Sequence, residues 1–188
     1  MNKTIFACCS AKPDHEYQPI AEAIGEMIAI YGNRLATGGS ADDEDSIMRY
    51  IKYGYEKTAK DLKEVGYKPP LSITTTKFMI EFGNSPTDEI RVYDNILERQ
   101  QDLLKSSDVV LILNGGMGTL AELMDAYVLR QTKEHKDLKI IIFNFNGYWD
   151  KLYELVENMY LRGKCSKPTK FIHWVTSLEE LEEILKAI

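Results

Sequence analysis

Residues 105–125 read KSSDVVLILNGGMGTLAELMD, and this stretch decides the fold. Val109 to Leu113 is an unbroken apolar run with β-branched residues, bounded by Ser106-Ser107-Asp108 before it and Asn114-Gly115-Gly116 after it. Such a run predicts a strand buried in a parallel sheet. Gly115, Gly116 and Gly118 follow closely, and LAELMDAYVL continues from Thr119 at helical spacing. A strand, a glycine-rich turn and a helix aim backbone N–H groups and the positive end of a helix dipole at one point, which favours an anion such as a phosphate. Gly115, Gly116, Met117, Gly118 and Thr119 are therefore candidate phosphate-binding residues.

Outward from this core, strands alternate with helices. Thr4 to Cys8 predicts a first strand and CSAKPDHEYQP a loop containing Ser10. Pro19 then opens a helix marked by Ile20, Ile24, Met27 and Ile28, which Gly32-Asn33 ends. Arg34 to Thr37 reads as a second strand running into Gly38-Gly39-Ser40. The acidic stretch ADDEDS is expected to cap a helix from about Asp45 to Val65, with Gly66 as its stop and Lys68-Pro69-Pro70 as a turn. LSITTTKFMI (71–80) has the Thr and Ile content of one strand, FGNSPTDEI that of an irregular loop, and a helix is expected from about Tyr93 to Leu104. Beyond the central motif, KIIIFNF (139–145) predicts a strand, Lys151–Leu161 a helix and Phe171–Val175 a last strand. Ser177 and Glu180 form a capping-box signature for the closing helix. The pattern predicts a three-layer α/β/α fold with a mostly parallel sheet, and the length a single domain over residues 1–188. Ligands of such sheets bind beyond the carboxyl ends of the strands, so the loops at 9–15, 38–45 and 114–119 should share one rim. Ser10, Gly38, Gly39 and Ser40 join the candidate ligand-binding residues on that ground.

Composition narrows the function. At 188 residues with 44% hydrophobic and 28% charged residues, the chain has the make-up of an ordinary soluble globular protein. A net charge of −6 counts against a broad nucleic-acid-binding face, though not against a local basic pocket. No apolar run approaches the roughly 20 residues of a membrane-spanning helix, and no signal-peptide pattern opens the chain. A cytoplasmic location without membrane partners is expected. Cys8 and Cys9 are adjacent and Cys165 is distant, which fits reduced thiols, and the three histidines lack zinc-site spacing. Neither a metal nor a cofactor is expected. The P-loop lysine and a GxGxxG after the first strand are both missing, so triphosphate hydrolysis by a P-loop and orthodox dinucleotide binding are disfavoured.

Two residues could carry chemistry. Thr119 and Glu122 have the spacing of a capping box, in which Glu122 would only bond back to the helix start. Glu122 also sits one turn into a helix that faces the anion site, where a carboxylate can act on a bond or a water. Arg99, on the helix feeding the central strand, could meet a phosphate or a developing charge, although surface arginines more often pair with neighbours such as Asp102 or Glu98.

Together these residues resemble the "lonely guy" family, formerly described as lysine decarboxylases and known as cytokinin-activating phosphoribohydrolases. Gly115, Gly116, Gly118, Thr119 and Glu122 match its PGGxGTxxE signature, and Arg99 matches the arginine of an upstream arginine-lysine pair. FNFNGYWDKLYELVENMYLRG resembles the strand, turn and helix that follow. The resemblance is close over about 92–165 and an outline over the N-terminal half. It implies a Rossmann-like fold, hydrolysis of the N-glycosidic bond of a nucleoside 5′-monophosphate, a phosphate held by the glycine loop, and Arg99 and Glu122 as catalytic residues. It also implies a homodimer and a small-molecule nucleotide as the binding partner. Asn114 and Gln100 depart from the pattern, replacing its proline and lysine. With the acidic stretch at 42–45, Gln100 keeps a second reading open, a nucleotide-binding or sensing protein without turnover. A lysine decarboxylase reading finds no recognisable pyridoxal site.

Overall fold

The computed structural model describes residues 3–62 and 68–188. Its two central strands, β1 (Thr4–Cys8) and β5 (Val109–Ile112), run parallel, with Ile5 beside Val109 and Cys8 beside Ile112. Successive strand residues point to opposite faces. Ile5, Ala7, Val109 and Leu111 therefore enter one core, and Phe6, Cys8, Val110 and Ile112 the other. Helices α1 (Gln18–Ile30), α2 (Ile47–Asp61) and α7 (Leu178–Lys186) cover the first face. Helices α4 (Ile96–Lys105), α5 (Met117–Thr132) and α6 (Asp150–Leu161) pack on the second. The three-layer α/β arrangement is the one expected.

The remaining strands are β2 (Arg34–Thr37), β3 (Leu71–Thr75), β4 (Glu89–Tyr93), β6 (Lys139–Phe143) and β7 (Ile172–Val175). Among the described residues the sheet has the order β4-β3-β2-β1-β5-β6-β7, and every pairing is parallel. Strand order reverses between β1 and β5. The chain leaves β1 for α1 on one face and β5 for α5 on the other, so a crevice opens beyond the carboxyl ends of this pair.

Several local expectations are corrected. LSITTTKFMI is not one strand: β3 stops at Thr75, whose hydroxyl accepts from the Phe78 N–H at 3.2 Å and starts helix α3 (Thr76–Phe82). The stretch taken as loop ends in strand β4, and α4 begins at Ile96 under an Asn95 cap rather than near Tyr93. Helix α2 starts at Ile47, capped by Ser46 and not by the preceding carboxylates; the expected continuation to Val65 and stop at Gly66 lie outside the described residues.

Two packing features fix the rim. Helices α1 and α2 meet backbone to backbone, since a Cβ on Gly25 would fall 1.9 Å from the Ile51 carbonyl oxygen and one on Gly54 2.0 Å from that of Glu22. Fully buried Lys52 reaches from α2 to Asp88 at 2.8 Å and to the Ser40 carbonyl at 3.4 Å, and the Ser72 hydroxyl donates to the same Asp88 carboxylate. Burial pushes the Asp88 carboxyl up, with Lys52 and Ser72 pulling the other way. This buried network fastens the loop after β2.

Candidate active site

At the reversal point lies a cavity of about 420 Å³. Its wall includes Ser10 from the loop after β1, Gly38 after β2, Arg99 from α4, and Gly116, Gly118, Thr119 and Glu122 from the central motif. The three loops expected on one rim each contribute to it.

The glycine turn controls how α5 begins. The helix starts at Met117 with Gly116 at the cap position, and no side chain caps it. The first backbone acceptor inside the helix is the Gly116 carbonyl, which takes the Leu120 N–H at 3.0 Å. The N–H groups of Met117, Gly118 and Thr119 are thus left without intrahelical partners. By contrast, α2, α3, α4 and α7 are each capped by a Ser, Thr or Asn side chain. Gly116 and Gly118 face open space, with nothing within 4 Å of where a Cβ would stand. An uncapped positive helix end over an empty, Cβ-free surface is suited to an anion.

The capping-box reading of Thr119 and Glu122 is overturned. Thr119 lies in the first turn of α5 instead of before it, with its Oγ1 2.1 Å from where a Cβ on Gly115 would stand. Glu122, 9% exposed, points its carboxylate at Arg99, Oε1 to Nη1 at 3.5 Å. Arg99 is itself buried, donates from Nε to the Ile73 carbonyl at 2.9 Å, and rests over the Phe78 ring. Its suggested neighbour Asp102 pairs with Arg91 at 3.2 Å instead. A Cβ on Gly38 would lie 2.1 Å from the Arg99 Nη2, so that glycine leaves the guanidinium its room.

Burial dominates the electrostatics of this pair. It raises the Glu122 carboxyl above its ordinary value, with Arg99 opposing, and it lowers the Arg99 guanidinium, with Glu122 opposing. Desolvation outweighs attraction in both because the two groups touch only once, at the outer limit of a hydrogen bond. Cys8 and Cys9 lie close by, and burial, with the Glu122 charge adding, pushes both thiols up. Their environment is that of inert thiols, not nucleophiles.

Other candidates fall outside the cavity wall. Gly115 turns inward against Thr119, and its carbonyl accepts the Tyr148 hydroxyl at 2.7 Å. Met117 is 80% exposed and is not a lining residue. Gly39 has a φ of +92° and packs against Asn84. Ser40 is buried, its carbonyl held by Lys52 and by the Ser85 N–H. Conversely, Lys12, Met48 and Cys9 line the cavity without having been singled out. Only Lys12 carried a usable signal, as a cation in a loop already placed on the rim.

These features define a class: an open parallel α/β domain with an anion-receptive helix start and a buried arginine–glutamate pair at its switch point. The family model described as "Possible lysine decarboxylase" matches residues 55–188, and the chain belongs to that family. Over 185 residues it is 28% identical to the cytokinin riboside 5′-monophosphate phosphoribohydrolase of Mycobacterium tuberculosis, covering 98% of this chain and 92% of that one. It is 25% identical over 184 residues to the Arabidopsis thaliana cytokinin riboside 5′-monophosphate phosphoribohydrolase LOG4, covering 98% and 80%. Among solved structures, the molybdenum cofactor carrier protein of Chlamydomonas reinhardtii shares the fold, with a TM-score of 0.70, 15% identity, and coverage of 100% and 98%.

Proposed function

We propose that this protein hydrolyses the N-glycosidic bond of a nucleoside 5′-monophosphate, releasing the free base and ribose 5-phosphate. The observation that carries this reading is the buried Arg99–Glu122 pair on the same cavity as the uncapped start of α5. The first turn of α5 holds the phosphate. Cleavage of the bond between the sugar C1′ and the base nitrogen develops oxocarbenium character, which the Glu122 carboxylate stabilises while orienting water. The water supplies a hydroxyl to C1′ and a proton to the departing base. Arg99 keeps Glu122 ionised and in place. Incubation with AMP, CMP and prenylated AMP should release base and ribose 5-phosphate in equal amounts; intact protein releasing neither from any of them overturns the proposal.

One observation favours a second reading, binding without turnover. Gln100 stands where the family motif has a lysine, and its amide donates to Asp125 at 2.6 Å, so no second cation joins Arg99 from that position. Strong thermal stabilisation by a nucleotide that is then recovered unchanged would establish it.

The protein is further proposed to act as a single domain and a homodimer in the cytoplasm. Ile80 (82% exposed) on α3, Leu97 (72%) on α4 and Val128 (53%) on α5 are large apolar side chains left uncovered. Phe78 against Arg99 links α3 to α4, and Gln100 with Asp125 links α4 to α5, so these helices are neighbours. A second copy is the occupant whose matching apolar face fits. Light scattering should report twice the 21.5 kDa chain mass, and Leu97→Glu should shift it toward monomer.

A further inference from the structure

Three charged side chains line the cavity: Lys12, Arg99 and Glu122. The last two face each other, so their charges largely cancel. Lys12 is different. Its side chain is exposed and has no carboxylate partner among the described residues. Its backbone, however, is firmly held. The Ser10 N–H donates to the Asn114 carbonyl at 3.0 Å, and the Lys12 N–H donates to the Ser10 hydroxyl at 2.9 Å. The carbonyls of Ser10 and Lys12 accept the Met48 and Ile47 N–H groups, each at 3.3 Å. The loop is thereby clamped between the end of β5 and the start of α2, which fixes where the lysine stem leaves the wall.

Charge balance gives this placement a meaning. A phosphate monoester carries about −1.5 to −2 charges at neutral pH, while a helix start offers only about half a positive charge. The start of α5 leaves most of that charge unanswered, and Lys12 is the cavity cation not already committed. We propose that Lys12 pairs with the phosphate of the bound ligand, and so makes the site select phosphorylated sugars over their unphosphorylated counterparts. The inference rests on the reading of the cavity as a nucleotide site and adds to it the residue that reads the phosphate charge. It also places the second cation of the site on the loop after β1, where Gln100 on α4 supplies none.

The test uses ribose 5-phosphate, AMP and adenosine in calorimetric titrations of wild type, Lys12→Ala and Lys12→Arg. Lys12→Ala should weaken ribose 5-phosphate and AMP about tenfold, the scale of one charge-assisted contact, and leave adenosine unchanged. Lys12→Arg should restore most of the loss, and added salt should shrink the difference between wild type and Lys12→Ala. If turnover is present, KM for AMP should rise while kcat holds, as expected of a contact made equally in ground and transition states. Unchanged phosphate-ligand affinity in Lys12→Ala overturns the inference while leaving the nucleotide reading standing. Wild type that binds ribose 5-phosphate through Lys12 but neither binds nor cleaves AMP overturns that reading and keeps the inference. Wild type that binds none of the three overturns both.

Discussion

The molecule has two glycine loops at the same rim, and their glycines answer to different demands. In the loop after β2, a Cβ on Gly38 would strike the Arg99 guanidinium at 2.1 Å, and Gly39 combines a φ of +92° with a close approach to Asn84. Those glycines are required by the protein's own atoms. In the turn after β5, Gly116 and Gly118 have nothing within 4 Å of the place a Cβ would take. The protein does not need them to be glycine, so the space they keep open is space for something else. One loop makes room for the Arg99 guanidinium, and on the proposed reading the other keeps room for a ligand. Glycine content alone would have ranked the two as equivalent.

The largest effect should come from the residue both loops serve. Glu122→Gln is expected to lower turnover of AMP by roughly 10³-fold with its affinity retained, because the proposed phosphate site is the start of α5 and not this carboxylate. Wild-type kcat/KM should fall toward acid as Glu122 takes up a proton, with a midpoint above the ordinary carboxyl value of 4.5, since burial raises this group. The same shift has a stability consequence. A carboxyl raised in the folded state contributes stability that is complete below the unfolded pKa and is lost as pH rises through the folded one. A rate profile with its acid limb at or below the ordinary value would place the titrating base outside this pair.

The two loops are set directly against each other by Gly38→Ala and Gly118→Ala. The first pushes on Arg99, whose Nε is tied to the Ile73 carbonyl, and should cost about 10²-fold in kcat/KM, the scale of a 1 Å misplacement. The second lies within a helix at a φ that any residue adopts, so alanine should hold stability or raise it by up to about 1 kcal/mol. Its methyl would nevertheless stand where the ligand goes, and AMP affinity should drop about tenfold. Chemical denaturation and AMP titration of both variants check the pair. A Gly118→Ala protein that binds AMP normally would return that glycine to a purely structural role.

Legibility in the sequence followed how strongly each element is buried. The strands beside the switch point, β1 and β5, are apolar on both faces and could be read as continuous runs. β4 at the sheet edge carries Glu89 and Arg91 and is partly exposed along its length, so its hydrophobic signal dissolves into the surrounding loop. The Thr74-Thr75-Thr76 run hid a strand-to-helix junction, because threonine suits strands and caps helices equally well. At the candidate site, Gly116, Gly118, Arg99 and Glu122 were legible as residue types at fixed spacing, while Gly115 and Gly39 gave the same signal and fall outside the cavity wall. The position of Thr119 was not: its spacing to Glu122 imitates a capping box, and only the early start of α5 at Met117 shows that it lies inside the helix. Lys12 was legible only as a cation in a loop expected on the rim, since its place on the wall depends on backbone bonds to Ile47, Met48 and Asn114.

The smallest effect is expected at the brace between β5 and β6. The loop after β6 turns through Asn146, at a φ of +50°, and brings the Tyr148 hydroxyl to the Gly115 carbonyl at 2.7 Å. That bond fixes the peptide plane just ahead of Gly116, and with it the approach to the free N–H groups of α5. Tyr148 is 51% exposed, so in Tyr148→Phe water can reach the Gly115 carbonyl in place of the hydroxyl. The stability loss should therefore stay near 0.5 to 1 kcal/mol, about one exchanged hydrogen bond. Affinity for AMP should fall only a few-fold, through the looser turn, while adenosine binding is unmoved. A loss of both ligands together would mean that Tyr148 supports the whole crevice, and would make the turn after β5 depend on the protein's own packing as much as the loop after β2 does.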